Sequence, residues 1–196
     1  MIDQQEQCMG KTDEELVALT LQDREQYACL ISRYEAPLER YIRRISGLSN
    51  DDIADVLQNT FINAYRNLND FDTSLKFSSW IYRIAHNEAI SHHRRRQARP
   101  QTVSVDDSDD TFASLASEVD VPHDVDRRML AQRVRDVLAM MDPKYRDVLV
   151  LQYLEDKDYR EISDILQKPM GTVATLISRA KQQFKKQVEQ TTLASQ

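Results

Sequence analysis

"DYREISDILQKPMGTVATLISRAKQQFKK", residues 158–186, decides how the chain is read. Ile162, Ile165 and Leu166 share one face of a short helical stretch, and Lys168-Pro169 ends it, because proline cannot continue the hydrogen-bond ladder. The helical pattern resumes within a few residues, and so short a connection forces a steep crossing of the two helices. Placing the second stretch at about 100° per residue puts Val173, Ile177, Ala180, Phe184 and Val188 on one stripe, with Leu176 at its edge. Thr175, Ser178, Arg179, Gln182, Lys185 and Lys186 then face the other way. This is the layout of a helix-turn-helix whose second helix presents a polar face to a DNA groove.

Working outward, every neighbouring segment also reads as helix. After residue 125 the spacing predicts helices over about 126–141, 143–155 and 158–167, with the reading helix from about 170. Toward the N-terminus, Leu16 and Leu19 begin a helix capped by Thr12 or Asp13. A second runs from about Gln26 to Ser46, and a third starts at a cap on Asn50 or Asp51. "SSWIYRIAHNEAISHHRRRQ" makes a fourth, with Ile81, Ile84, Ala85 and Ile90 inward. Three glycines, five prolines and the absence of any strand pattern make the chain all-α.

Between the two helical blocks lies "RPQTVSVDDSDDTFASLASEVDVPHDVD", rich in Ser and Asp and without a sustained 3.6-residue period. The organisation is therefore two small helical domains, residues 1–98 and 126–190, joined by an acidic flexible linker over 99–125. The net charge of −6 is distributed unevenly. Residues 101–126 hold eight acids and no Lys or Arg, whereas residues 127–196 hold thirteen Lys/Arg and nine acids. Local rather than total charge governs contact with phosphates, so the acidic total does not exclude nucleic acid. The linker reads as a solvated tether, with competition for basic surfaces as the alternative.

No apolar run approaches the roughly 18 residues needed to span a bilayer, so no direct membrane insertion is expected. The polar, acidic N-terminus does not fit a secretory signal, and the expected location is cytoplasmic. Cys8 and Cys29 form no CxxC pair and by default read as two reduced thiols, with redox sensing or a disulfide as the alternative. No Gly-rich phosphate loop or nucleophile–base pair is present, so no enzyme and no cofactor is expected. His86, His92 and His93 lack supporting Cys or carboxylate ligands at metal spacing, and no metal site is assigned.

Two further segments carry chemistry. In residues 77–99, Phe77, Trp80 and Tyr82 stand beside Arg83, Asn87 and a run of Arg94, Arg95, Arg96 and Arg99. Aromatic faces and arginines suit a single-stranded nucleic acid. The other reading is that Trp80 is core and the arginines complement a helix C-terminus; composition does not choose. In "DDIADVLQNTF", residues 51–61, Asp52, Asp55, Gln58 and Asn59 lie opposite an apolar stripe, which alone would be a solvated helix face.

These three segments, in this order and spacing, resemble an RNA polymerase sigma factor of the extracytoplasmic-function group. The resemblance covers about residues 14–96 and 126–188. It implies an alternative sigma factor that binds core RNA polymerase, recognises −35 and −10 promoter elements and helps open the duplex. Within the family pattern, Asp52, Asp55, Gln58 and Asn59 fall where the clamp helices of the polymerase's largest subunit are met. Phe71, Ser74, Lys76, Phe77, Arg83, Asn87 and Arg94 fall where the melted −10 element is bound. Tyr159, Arg160, Thr175, Ser178, Arg179 and Lys181 fall at the −35 element. Promoter DNA and the polymerase are thus the implied partners, with an anti-sigma factor or a regulatory kinase as further ones.

The chain departs from the family pattern at two surfaces. Ala54 and Asn59 stand where acids are usual, which weakens attraction to a basic clamp. Phosphorylation of Thr60 or a nearby hydroxyl would restore about −2 of charge. Ala174 and Leu176 replace basic residues of the reading helix. A helix-turn-helix activator or a sigma-mimicking adaptor is the alternative to the sigma reading.

Overall fold

A computed structural model describes residue 8, residues 10–98 and residues 125–194. Of the linker expected over 99–125, all but residue 125 lie outside the described residues, as does Arg99. Among the described residues every regular element is helical: α1 (Asp13–Gln22), α2 (Tyr27–Ile45), α3 (Asn50–Arg66), α4 (Phe77–Ala98), α5 (Val125–Met140), α6 (Pro143–Leu149), α7 (Tyr159–Leu166) and α8 (Met170–Ala194). Short 3-10 turns at Arg24–Gln26 and Leu68–Asp70 join the first elements, and a π turn, Val150–Leu154, extends α6.

Local chemistry sets the boundaries. Thr12 begins α1 with a capping box: its hydroxyl accepts from the Glu15 amide, and Glu15 accepts from the Thr12 amide. α3 is capped by Ser49, which accepts from the Asp52 amide. The cap therefore lies one residue before Asn50, since serine is the first side chain there able to reach back to the first turn. α7 has a second capping box, Asp158 with Glu161, and ends at Gln167, whose φ of 52° is left-handed. Ser163 Oγ donates to the Lys168 carbonyl at 2.6 Å, closing the turn before Pro169.

The N-terminal unit packs α1 to α4 around Leu16, Leu30, Leu38, Tyr41, Ile42, Ile53, Phe77 and Ile81, all at most 2% exposed. The C-terminal unit packs α6, α7 and α8 around Val148, Leu151, Ile162, Ile165, Val173 and Ile177. The two units also touch. α4 packs on α7, α2 meets α6 and the π turn, and the buried apolar residues of both units form one cluster.

The cysteines correct the default reading of two reduced thiols and take the alternative, a disulfide. Cys8 and Cys29 form a disulfide across 21 residues, tying the start of the described chain to α2. Arg33 of α2 reinforces the tie by donating to the Cys8 and Lys11 carbonyls and pairing with Asp13 at 2.6 Å. The residues are distant in sequence, and the packing of α1 and the segment before it against α2 brings them together.

Candidate nucleic-acid interface

The stripe on α8 is buried as its spacing requires: Val173 and Ala180 are fully buried and Ile177 nearly so, while Leu176 packs half-buried beside them. Thr175, Ser178, Arg179 and Lys181 are exposed on the opposite face. The Thr175 hydroxyl donates to the Gly171 carbonyl at 2.9 Å, leaving its oxygen lone pairs outward. Tyr159 and Arg160 are exposed in the first turn of α7. The Lys181 ammonium stands 5.3 Å from the Tyr153 ring centroid, whose hydroxyl raises its pKa. These residues gather polar, cationic and aromatic groups on one end of the C-terminal unit, with an apolar floor that fixes their direction. Leu176 belongs to that floor, so its apolar character stabilises the unit instead of interrupting the exposed polar face.

α4 and the loop before it carry the second group. Phe71 and Phe77 are buried and meet Trp80 in an aromatic cluster with centroids 5.2 to 5.6 Å apart. Trp80, at 7% exposure, is thus core, and the three rings support the loop from beneath. Above them Ser74 and Lys76 are exposed, and the Asp72 carboxylate accepts from the Ser74 amide to shape the turn. Along α4, Arg83 is half-buried, and Asn87 and Arg94 are exposed. Spacings of four and seven residues set these three on one side of the helix.

α3 presents the third surface, with Ala54, Asp55, Gln58, Asn59 and Ile62 exposed side by side. Asp52 differs, because its carboxylate is held by Arg96 at 2.7 Å and His92 at 3.4 Å. Arg96 thereby braces α4 against α3. Thr60 is fully buried, and its hydroxyl donates to the Val56 carbonyl at 2.8 Å. It faces the core and offers no surface to a kinase, contrary to the expectation that its phosphorylation restores charge to this face.

The histidines do not gather. His86 is buried with its Nδ1 3.0 Å from the Tyr41 hydroxyl, whereas His92 turns to Asp52. Among the described residues no group of three or more potential ligands could hold a metal ion. Burial, with Lys168 and Arg146 nearby, lowers the His86 pKa to about 4. Its neighbour Asp147, 3.9 Å away on α6, is raised to about 7 by burial. Sequence reading missed this pair and its companions Arg44, Tyr82 and Glu155, which join the two units. Their partners lie 61 to 111 residues apart, beyond any periodicity signal.

Residues 30–99 match the family model for sigma-70 region 2, and residues 131–184 match that for sigma-70 region 4. The ECF RNA polymerase sigma factor SigW of Bacillus subtilis (strain 168) is 30% identical over 172 residues, covering 85% of this chain and 90% of that protein. The RNA polymerase sigma factor HrpL of Pseudomonas syringae pv. syringae is 32% identical over 139 residues, 71% of this chain and 74% of HrpL. Among solved structures, CnrH in complex with the cytosolic domain of CnrY shares the fold, with a TM-score of 0.67 at 24% identity. That match covers 91% of this chain and 98% of CnrH. An activator sharing only the helix-turn-helix would leave the region 2 match unexplained. The chain belongs to the extracytoplasmic-function group of RNA polymerase sigma factors.

Proposed function

We propose that residues 1–98 form the unit that binds core polymerase and the −10 element, that 99–125 form the linker, and that 126–190 form the −35 unit. The observation carrying this reading is the direction of α8: its apolar stripe is buried, and Thr175, Ser178 and Arg179 face solvent together. A helix so presented after a tight turn enters the major groove, and Arg179 is the side chain suited to a guanine edge. Tyr159, Arg160 and Lys181 flank it as backbone contacts.

On α4, Arg83, Asn87 and Arg94 take the opened −10 strand, and Ser74 and Lys76 shape the loop that receives an unstacked base. Phe71 and Phe77 act by packing beneath that loop. On α3, Asp55, Gln58 and Asn59 meet the polymerase clamp helices, with Asp52 stabilising the joint between α3 and α4. Two missing acids, at Ala54 and Asn59, make this attachment less dependent on charge. The protein works in the cytoplasm, without catalysis of its own, and an anti-sigma factor is the expected type of regulator, in line with the complex of the Bartonella quintana sigma factor RpoE with the anti-sigma factor NepR, which has a similar fold.

Footprinting tests the assignment. Polymerase reconstituted with this protein should protect two promoter segments and make bases of the downstream one reactive to permanganate. Protection confined to a single segment would contradict the two-unit reading.

A further inference from the structure

Cys8 and Cys29 close a disulfide across 21 residues. In the cytoplasm proposed for this chain, small thiols reduce most disulfides, so a bond that forms there is transient and follows a change of redox state. The two cysteines are unequally placed: Cys8 is half-buried, whereas Cys29, in the first turn of α2, is 5% exposed. Reagents therefore arrive at Cys8. Between Cys8 and the Thr12 cap, Gly10 has a φ of 82°, with nothing within 4 Å of where a Cβ would stand. This left-handed residue lets the segment fold back along α2.

The bond stands at one end of a line of contacts that runs to the loop before α4. Arg33 donates to the Cys8 and Lys11 carbonyls at 3.2 and 2.9 Å and pairs with one Asp13 oxygen. The other Asp13 oxygen accepts from the Tyr34 hydroxyl. The Tyr34 ring meets Phe77 edge-on at 5.5 Å, and Phe77 with Phe71 and Trp80 supports the loop that carries Ser74 and Lys76. α1 also touches the Leu68–Asp70 turn that leads into this loop.

We propose that Cys8 and Cys29 form a reversible oxidation site for hydroperoxides, and that the closed bond docks α1 so that the loop over 71–77 holds the shape that receives the −10 strand. Reduction loosens both. In closure the Cys8 thiolate attacks a peroxide oxygen, the O–O bond breaks, and the leaving oxygen takes a proton and departs as water or an alcohol. The Cys29 thiol then attacks the sulfenic sulfur of Cys8, and the hydroxyl leaves as water with the Cys29 proton. The peroxide gains two electrons, and the two sulfurs lose them. A small thiolate reverses closure by attacking the Cys8 sulfur, and Cys29 leaves as a thiolate that takes up a proton. A second small thiolate attacks the mixed disulfide, releasing Cys8 and leaving as the small symmetric disulfide. The effect on promoter opening rests on the assignment of this loop to the −10 strand, whereas the oxidation site does not.

The test uses the full wild-type chain in both redox states, with the variants Cys8→Ser and Gly10→Ala. Maleimide labelling after hydrogen peroxide reads the thiols, and hydrogen exchange reads α1 and residues 68–77. Permanganate reactivity, at a start site mapped with reconstituted polymerase, reads opening. Peroxide should close the bond and slow exchange of the α1 amides by up to about a hundredfold, since a loop of this length is then constrained. Exchange over 68–77 should slow as well, and permanganate reactivity should rise at least about twofold. Cys8→Ser should behave as the reduced protein with or without peroxide, which separates this effect from oxidation of the polymerase. In a buffer of reduced and oxidised glutathione, Gly10→Ala should close about fivefold less favourably, because alanine strains the left-handed turn. Thiols still open to maleimide after peroxide would overturn the site. Closure with unchanged exchange over 68–77 would overturn its link to the loop. Slower exchange with equal promoter opening in both states would refute the effect on the −10 strand. Absence of opening in either state would instead refute the −10 assignment, and the effect on opening with it, while labelling and exchange still decide the oxidation site.

Discussion

Replacing Trp80 with alanine separates the two roles its sequence context allows. Trp80 is 7% exposed and contacts Phe71 and Phe77 with centroids 5.2 and 5.6 Å away. An indole of this kind buries roughly 200 Å², and its removal also leaves a cavity beneath the loop that carries Ser74 and Lys76. The expected cost is about 3–5 kcal/mol, a large share of the 5–15 kcal/mol typical of a whole domain. For a unit of this size the midpoint of thermal unfolding should fall by roughly 15 °C or more. Trp80→Phe keeps most of the packing and should cost about half as much or less. Urea denaturation followed by circular dichroism measures both. A loss below about 1 kcal/mol in Trp80→Ala, together with impaired DNA binding, would refute the core assignment and make the indole a base-stacking surface.

Other perturbations test separate parts of the account. Asp147, raised to about 7 from 3.8, contributes stability fully below pH 3.8 and loses it as pH rises through 7. His86, lowered to about 4 from 6.5, contributes stability above pH 6.5 and loses it as pH falls through 4. These slopes oppose one another between pH 4 and 6.5. Asp147→Asn should therefore turn a nearly flat profile into one falling by up to about 3 kcal/mol toward pH 4. A profile in that variant as flat as wild type, by urea titration at several pH values, would contradict the buried neutral His86. Arg179→Ala should cost about 1–3 kcal/mol of −35 binding and relax preference at one base pair, as read by anisotropy on duplex variants. Lys181→Ala should instead flatten the log–log salt dependence by about 0.9 with preference unchanged. Under oxidising conditions Cys8→Ser should lower stability by about 3 kcal/mol, a difference that disappears when reductant is added to both proteins.

Most of the helices were legible because their apolar residues recur at 3.6-residue spacing and their caps are chemically distinct. Thr12 and Pro169 announce boundaries, and the stripe from Val173 to Ala180 announces a floor. What was not legible depends on distance in sequence or on two nearly equal local choices. Cys8 and Cys29 become neighbours only through the packing of α1 on α2. The π turn at Val150–Leu154 continues an ordinary helical pattern, yet it redirects Glu155 by shifting the hydrogen-bond register, with the Glu155 amide donating to Val150. Thr60 carries a hydroxyl on a helix whose outward face is polar, but a half-turn places it inward against Val56. Phe71 and Phe77 sit where the family pattern locates a base-capturing loop, but both are buried, so they pack beneath the exposed Ser74 and Lys76, which spacing alone does not reveal.

The central claim, that this chain directs core polymerase to promoters through two separate DNA-reading surfaces, is tested most directly by run-off transcription. Core polymerase with and without the protein would be given fragmented genomic DNA, and transcript 5′ ends would be mapped. The account predicts discrete starts that depend on the protein, preceded by common −10 and −35 sequences, and their loss in Arg179→Ala at the −35 element. Transcripts no different from those of core polymerase alone would contradict it.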